Sequence, residues 1–167
     1  MSTKRTRTHT RGFGALVLLA CLSLAACGSS DDGNGGATGG NDAYAADRRA
    51  CVDRINGFRA TLGLPPLKRW TEQEACTDTE ATSDSQTDKA HGAFGSCKEG
   101  AQNECPGWGS VDETIQGCLQ SMWDEGPGEP YSEHGHYINM SNPDYTQVAC
   151  GFHETADGKV WAIQNFR

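Results

Sequence analysis

Six cysteines, Cys51, Cys76, Cys97, Cys105, Cys118 and Cys150, are spread over positions 51 to 150 of this 167-residue chain. Whether they bridge or stay reduced depends on the compartment, and the N-terminus points to export. Lys4, Arg5, Arg7 and Arg11 precede an apolar stretch from Gly14 to Ala20 and a small-residue exit, the layout of a secretory signal peptide. The apolar run Ala15 to Ala26 falls well short of the roughly 20 residues a membrane-crossing helix requires. No transmembrane helix is predicted. An even number of cysteines in an exported chain predicts three disulfides, with 15 formal connectivities. Only Cys97 with Cys105 is suggested locally, because Gly95, Gly100 and Pro106 mark the segment between and around them as an irregular loop that a short bridge could close. A cysteine metal site is the weaker reading, since no Cys-x-x-Cys pair is present.

The exit of the signal peptide carries more information. Leu24-Ala25-Ala26-Cys27-Gly28 resembles a bacterial lipobox, which implies cleavage before Cys27 and acylation of its thiol. Lipid chains on Cys27 would hold the protein on a membrane without a spanning helix. From Gly28 to Asn41 the chain reads GSSDDGNGGATGGN, too poor in apolar residues to fold, so it is predicted to be a flexible tether. Gly28, rather than Asp, follows Cys27, which favours the outer membrane or the cell surface over inner-membrane retention. The expected organisation is a lipoprotein signal peptide over 1–26, lipidated Cys27 with a Gly-rich tether over 27–44, and one folded domain over 45–167.

Charge narrows the partners. The chain has 14 Lys and Arg against 22 Asp and Glu, and four of the basic residues but no acid lie in the first 26 positions. The domain is strongly acidic, which argues against nucleic acid and against electrostatic docking on anionic lipid.

Helical spacing of Cys51, Val52, Ile55, Phe58 and Leu62 predicts a helix stopped by Gly63 and Pro65-Pro66. Ser110-x-x-Glu113 reads as a capping box for a helix bearing Val111, Ile115, Cys118, Leu119 and Met122, and Thr71-x-x-Glu74 as another. Gln147 to His153 and Lys159 to Phe166 have strand composition and flank the turn Thr155-Ala156-Asp157-Gly158. Helices followed by strands predict an α+β fold. Four histidines fall in the domain: His91, His134, His136 and His153. Glu133-His134-Gly135-His136-Tyr137 is the densest cluster, and an extended backbone would put both imidazoles on one face, as a ligand pair or general base. A solvated Gly-rich loop is the equally weighted alternative. His153 is expected at the surface.

The order of motifs resembles a family. Asn56-Gly57-Phe58-Arg59-Ala60 with Leu64-Pro65-Pro66-Leu67, an isolated His91, Trp123 before Gly135-His136-Tyr137, Tyr145 to Gly151, and Trp161 to Phe166 together look like the CAP superfamily of cysteine-rich secretory, antigen 5 and pathogenesis-related 1 proteins, also called SCP domains. The resemblance implies a three-layer α-β-α sandwich with a central antiparallel sheet. It also implies an open cleft in which two His and two Glu can hold a divalent cation such as zinc. Carried over, His91 and His136 match the two cleft histidines, and Glu125 is the candidate for one acid. The other acid belongs in a Gly-Glu-Asn motif that here reads Ala101-Gln102-Asn103. Gln102 keeps an acceptor but loses the charge, so any metal binds more weakly and Gln102 cannot serve as a base. Glu104 is the nearby substitute unless Cys105 pins it on the loop, and Tyr137 belongs to the same expected cleft.

Two functions from different classes follow. The first is an extracellular binding or recognition module for a protein, lipid or sterol, favoured because no nucleophile motif is present and the resemblance implies binding. The second is a metal-dependent extracellular peptidase using His91, His136 and Glu125.

Overall fold

A computed structural model describes residues 42–167. The signal peptide, Cys27 and nearly all of the tether lie outside the described residues.

Helix α1, Ala45–Thr61, buries Cys51, Val52, Ile55 and Phe58 along one face and ends before Gly63, whose φ of +69° needs no Cβ. Its two polar residues in the Asn-Gly-Phe-Arg motif fasten the chain that follows. Asn56 exchanges side-chain hydrogen bonds with the main chain of Leu67 at 2.9 and 2.7 Å. Arg59, 1% exposed, donates to the carbonyls of Pro65, Met140 and Asn142 at 2.8–2.9 Å. A short strand β1, Lys68–Arg69, leads through a 3-10 turn at Thr71–Gln73 into helix α2, Glu74–Thr87. The expected Thr71–Glu74 capping box does not form. Glu74 is instead paired with Arg69, and the α2 cap, Gln73, makes no side-chain hydrogen bond. A charge-assisted pair with an arginine is the stronger partner for that carboxylate.

Strand β2, Ala101–Trp108, occupies the stretch expected to be an irregular loop. Pro106 and Gly107, with φ of +72° at Gly107, sit at a register shift against the neighbouring strand, between Cys105 and Trp108. An edge strand tolerates both residues at a bulge. The capping box at Ser110 does form, Ser110 Oγ accepting from Glu113 N at 3.1 Å. It opens a helical run of three parts: α3, Val111–Glu113; a π turn, Thr114–Cys118; and α4, Leu119–Trp123. Helix α5, Tyr131–Ser141, takes in the His134-Gly135-His136 segment, so neither an extended strand nor a loop is present there. Strands β3, Gln147–Glu154, and β4, Val160–Phe166, form the expected hairpin, with Gly158 at φ +77° in its turn.

The sheet runs β1-β3-β4-β2, with β1 parallel to β3 and the other pairs antiparallel. Strand alternation sorts its side chains into two layers. On one side Cys150 is bridged to Cys51 of α1, Phe152 packs on Tyr44, and Ala162 and Phe166 join the main core. On the other, Gly151 meets Thr77 of α2 while Trp161 and Ile163 pack with Ala81. The result is an α-β-α sandwich, α2 covering one face and α1, α4 and α5 the other. The disulfides are Cys51–Cys150, Cys76–Cys97 and Cys105–Cys118, which corrects the Cys97–Cys105 expectation. Once β2 is a strand, Cys105 points to the α4 side and meets Cys118, whereas Cys97 lies on the α2 side and meets Cys76.

Candidate functional site

Edge strand β2 divides the site. Period-two alternation sends Gln102 and Glu104 toward α2 and turns Ala101, Asn103 and Cys105 toward α4 and α5. His91 reaches β2 from the loop after α2, where its φ is +59°, and its main-chain N–H donates to Glu104 Oε2 at 2.5 Å. His136 arrives from the opposite layer on α5, and its carbonyl accepts from Asn103 Nδ2 at 3.1 Å. Asn103, fully buried, also accepts from Asn139 at 2.9 Å, so one β2 side chain holds α5 at two points. The two imidazoles face one another across the strand edge, ring centres 6.4 Å apart and planes 27° from parallel. Both are partly open to solvent, with side-chain exposures of 43% for His91 and 35% for His136.

Each ring is held through Nδ1. His91 Nδ1 lies 2.8 Å from Gln102 Oε1. His136 Nδ1 faces Glu125 Oε1 at 2.5 Å, and the other Glu125 oxygen accepts the main-chain N–H groups of His136 and Tyr137. A carboxylate only accepts, so His136 carries a proton on Nδ1, and in the neutral ring the lone pair is on Nε2. Glu125 was expected among the ligands; its oxygens are engaged in orienting His136. Tyr137 packs against Trp123 at 4.5 Å, and Trp123 stacks on Phe58, so its ring anchors α5 to α4 and α1.

Glu104 lies behind His91, its Oε2 3.8 Å from His91 Nδ1. Its side chain has no solvent exposure, and burial, reinforced by the neighbouring Asp84, pushes its carboxyl up to about 7. His134 donates Nδ1 toward the carbonyls of Glu125 and Gly126 at 2.7 and 2.9 Å, fixing the turn that carries Glu125. On a helix, His134 and His136 leave the axis in different directions, so they form no ligand pair. Glu133 is exposed, and His153 is half-buried beside Thr82 Oγ1 at 3.1 Å.

Sequence reasoning missed Glu80 and Glu99. Their carboxyl oxygens and Cys97 Sγ lie within 4.8 Å of one another, the spacing of a metal-holding group. The chemistry does not fit a metal, because Cys97 is bound to Cys76 and Glu99 accepts the N–H groups of Gly95 and Cys97. Glu80 and Glu99 are a buried carboxyl pair. Burial first, and the proximity of Glu99 next, push Glu80 up to about 7. The signal available in sequence was two acids on the inner face of α2, Glu80 and Asp84, four residues apart. Beside His91 a cavity of about 410 Å³ opens between Phe94, Gln102, Tyr131, Ile138 and Tyr145.

The model of the CAP family, described as the cysteine-rich secretory protein family, matches residues 52–166. The chain belongs to that family. No curated protein matches the chain by sequence. Among solved structures the CAP domain is similar to Na-ASP-1, at 13% identity and a TM-score of 0.57, over 72% of this chain and 38% of that one. An outer surface protein from Borrelia burgdorferi matches at 15% identity and a TM-score of 0.54, over 74% of this chain and 92% of its own. NaASP2 with Zn2+ matches at 10% identity and a TM-score of 0.54, over 72% and 78%. At these identities the likeness is one of fold. The chain spans well under half the length of Na-ASP-1.

Proposed function

We propose that this protein is an exported, lipid-anchored CAP module that binds a ligand outside the cell, with a divalent metal such as zinc held by His91 and His136 in its cleft. The observation that carries the reading is the facing pair of imidazoles, each engaged at Nδ1. Metal-binding histidines characteristically make this second bond, which orients the ring and leaves Nε2 as the ligand atom. A bound cation would supply a Lewis-acidic contact for a carbonyl or carboxylate of the ligand. The adjoining cavity, with Phe94, Tyr131, Ile138 and Tyr145 beside Gln102, suits a ligand with an apolar body and a polar tip, a lipid or sterol among them. Three disulfides fit an oxidising compartment, and the Leu24-Ala25-Ala26-Cys27 exit supports an anchor at the outer membrane or cell surface.

Peptidase chemistry is the weaker reading. Both Glu125 oxygens are occupied at residues 136 and 137, Gln102 is no base, and Glu104 is buried, so none of these three residues is placed to activate water.

Calorimetric zinc titration of the oxidised protein, beside His136→Ala, tests the cleft. Binding near one equivalent that vanishes in the variant is expected; no binding by either protein removes the metal from the reading. Mass spectrometry of the membrane fraction, beside Cys27→Ser, tests the anchor. An unacylated Cys27 overturns it.

A further inference from the structure

The second cleft acid of the family pattern is replaced by an amide, and an amide can face an imidazole with either end. If Gln102 presented its NH2 to His91, Nδ1 would have to be the acceptor and Nε2 would carry the proton, closing the ring to a metal. Something must choose the end, and the structure shows what surrounds the other one. Gln102 Nε2 donates to Glu80 Oε2 at 3.2 Å and to Asn165 Oδ1 at 3.1 Å, all three residues being buried. Asn165 is itself fixed, because its Nδ2 donates to Glu80 Oε2 at 2.6 Å and to Thr77 Oγ1 at 3.2 Å. Reversing Gln102 would point its carbonyl at two acceptors in a space closed to water, with two unmade hydrogen bonds as the consequence.

We propose that Glu80 is a positioning residue: by accepting from Gln102 and Asn165 beneath the sheet, it sets the direction of the Gln102 amide and thereby which nitrogen of His91 faces the cleft. The role does not depend on the charge of Glu80. Its other oxygen, Oε1, is buried without a hydrogen-bond partner, and a Glu99 carboxyl oxygen lies within 4.8 Å of the Glu80 carboxyl, so a proton on Oε1 leaves Oε2 an acceptor. The importance of the tautomer rests on the cleft reading above, but the tautomer itself is a property of the metal-free protein.

Long-range proton–nitrogen NMR of the histidine rings, on chelator-treated 15N-labelled protein at pH 8.5 with His91→Gln for assignment, reads it directly. The wild type is expected to show His91 protonated at Nδ1, with a lone pair at Nε2. In Glu80→Met the ratio of Nε2–H to Nδ1–H is expected to rise at least tenfold. Glu80→Gln, whose carbonyl takes the place of Oε2 while its NH2 faces Glu99, retains the wild-type tautomer. In the double variant Glu80→Met, Gln102→Glu, a carboxylate faces His91 and the Nδ1–H form returns. A wild-type ring protonated at Nε2, or a folded Glu80→Met protein that stays wholly in the Nδ1–H form, overturns the proposal. Where the Met variant does not fold, a wild-type ring protonated at Nε2 still overturns the proposal. Absence of zinc binding leaves these readings untouched, so the two ideas fail separately.

Discussion

Glu125 holds His136 from two directions, one carboxylate oxygen on the ring Nδ1 and the other on the main-chain N–H at 3.1 Å. One side chain, just after α4, thus sets the ring orientation and fastens the main chain of α5. Glu125→Ala removes both contacts while keeping His136 itself in the chain. Loss of such a supporting partner typically costs 10–100-fold in metal affinity. Zinc titration of Glu125→Ala is expected to show a drop of about that size. Unchanged affinity would mean that His136 needs no orienting partner.

Cys76–Cys97 ties α2 to the loop that carries His91, closing 21 residues of sequence separation. Replacing both cysteines with Ala releases that constraint from the unfolded chain and is expected to lower stability by about 3 kcal/mol. Denaturant unfolding measures it. Because the loop positions His91, this variant should also lose more zinc affinity than the Cys105→Ala, Cys118→Ala pair, whose bridge lies on the far side of the sheet.

Glu80 and Glu104 are each pushed up to about 7, above the ordinary glutamate value of 4.5, by burial. Between those values the native protein retains protons that the unfolded chain has released, so stability falls as pH rises. The contribution is fully present below about 4.5 and lost on passing about 7. Thermal unfolding is expected to give a higher Tm at pH 5 than at pH 8. Glu104→Gln, which mimics the protonated form, should flatten that dependence.

Gly151 lies where α2 crosses β3, and a Cβ added there would stand 2.5 Å from the main-chain carbon of Thr77 and 2.7 Å from Asp78 N. Both atoms belong to one peptide unit of α2, which has nothing flexible to move aside. Gly151→Ala is expected to cost roughly 3 kcal/mol, read as a lower denaturation midpoint. A neutral result would mean that α2 can lift off the sheet without loss.

What the sequence determined on its own was whatever depends on neighbours along the chain. The periodicity of Cys51, Val52, Ile55 and Phe58, the Ser110 cap and the Asp157-Gly158 turn each express local backbone and side-chain preferences, and each corresponds to an observed element. The even cysteine count gave the number of bridges. The motif order gave the family, and with it the sandwich. Tertiary structure decided the rest. Cys97 and Cys105 are eight residues apart but on opposite sides of a strand, so pairing depended on which face each one met. Residues 101–108 are a strand only because β4 supplies hydrogen bonds that offset Pro106 and Gly107. The Gly-rich segment around His134 and His136 is helical because Arg59, Asn103 and Glu125, from three other parts of the chain, satisfy its backbone and side chains. Glu80, on a different element from His91 and Gln102, joins their network only because α2 lies across the sheet. Contacts between distant residues carry no local signature, and this cleft is built from them.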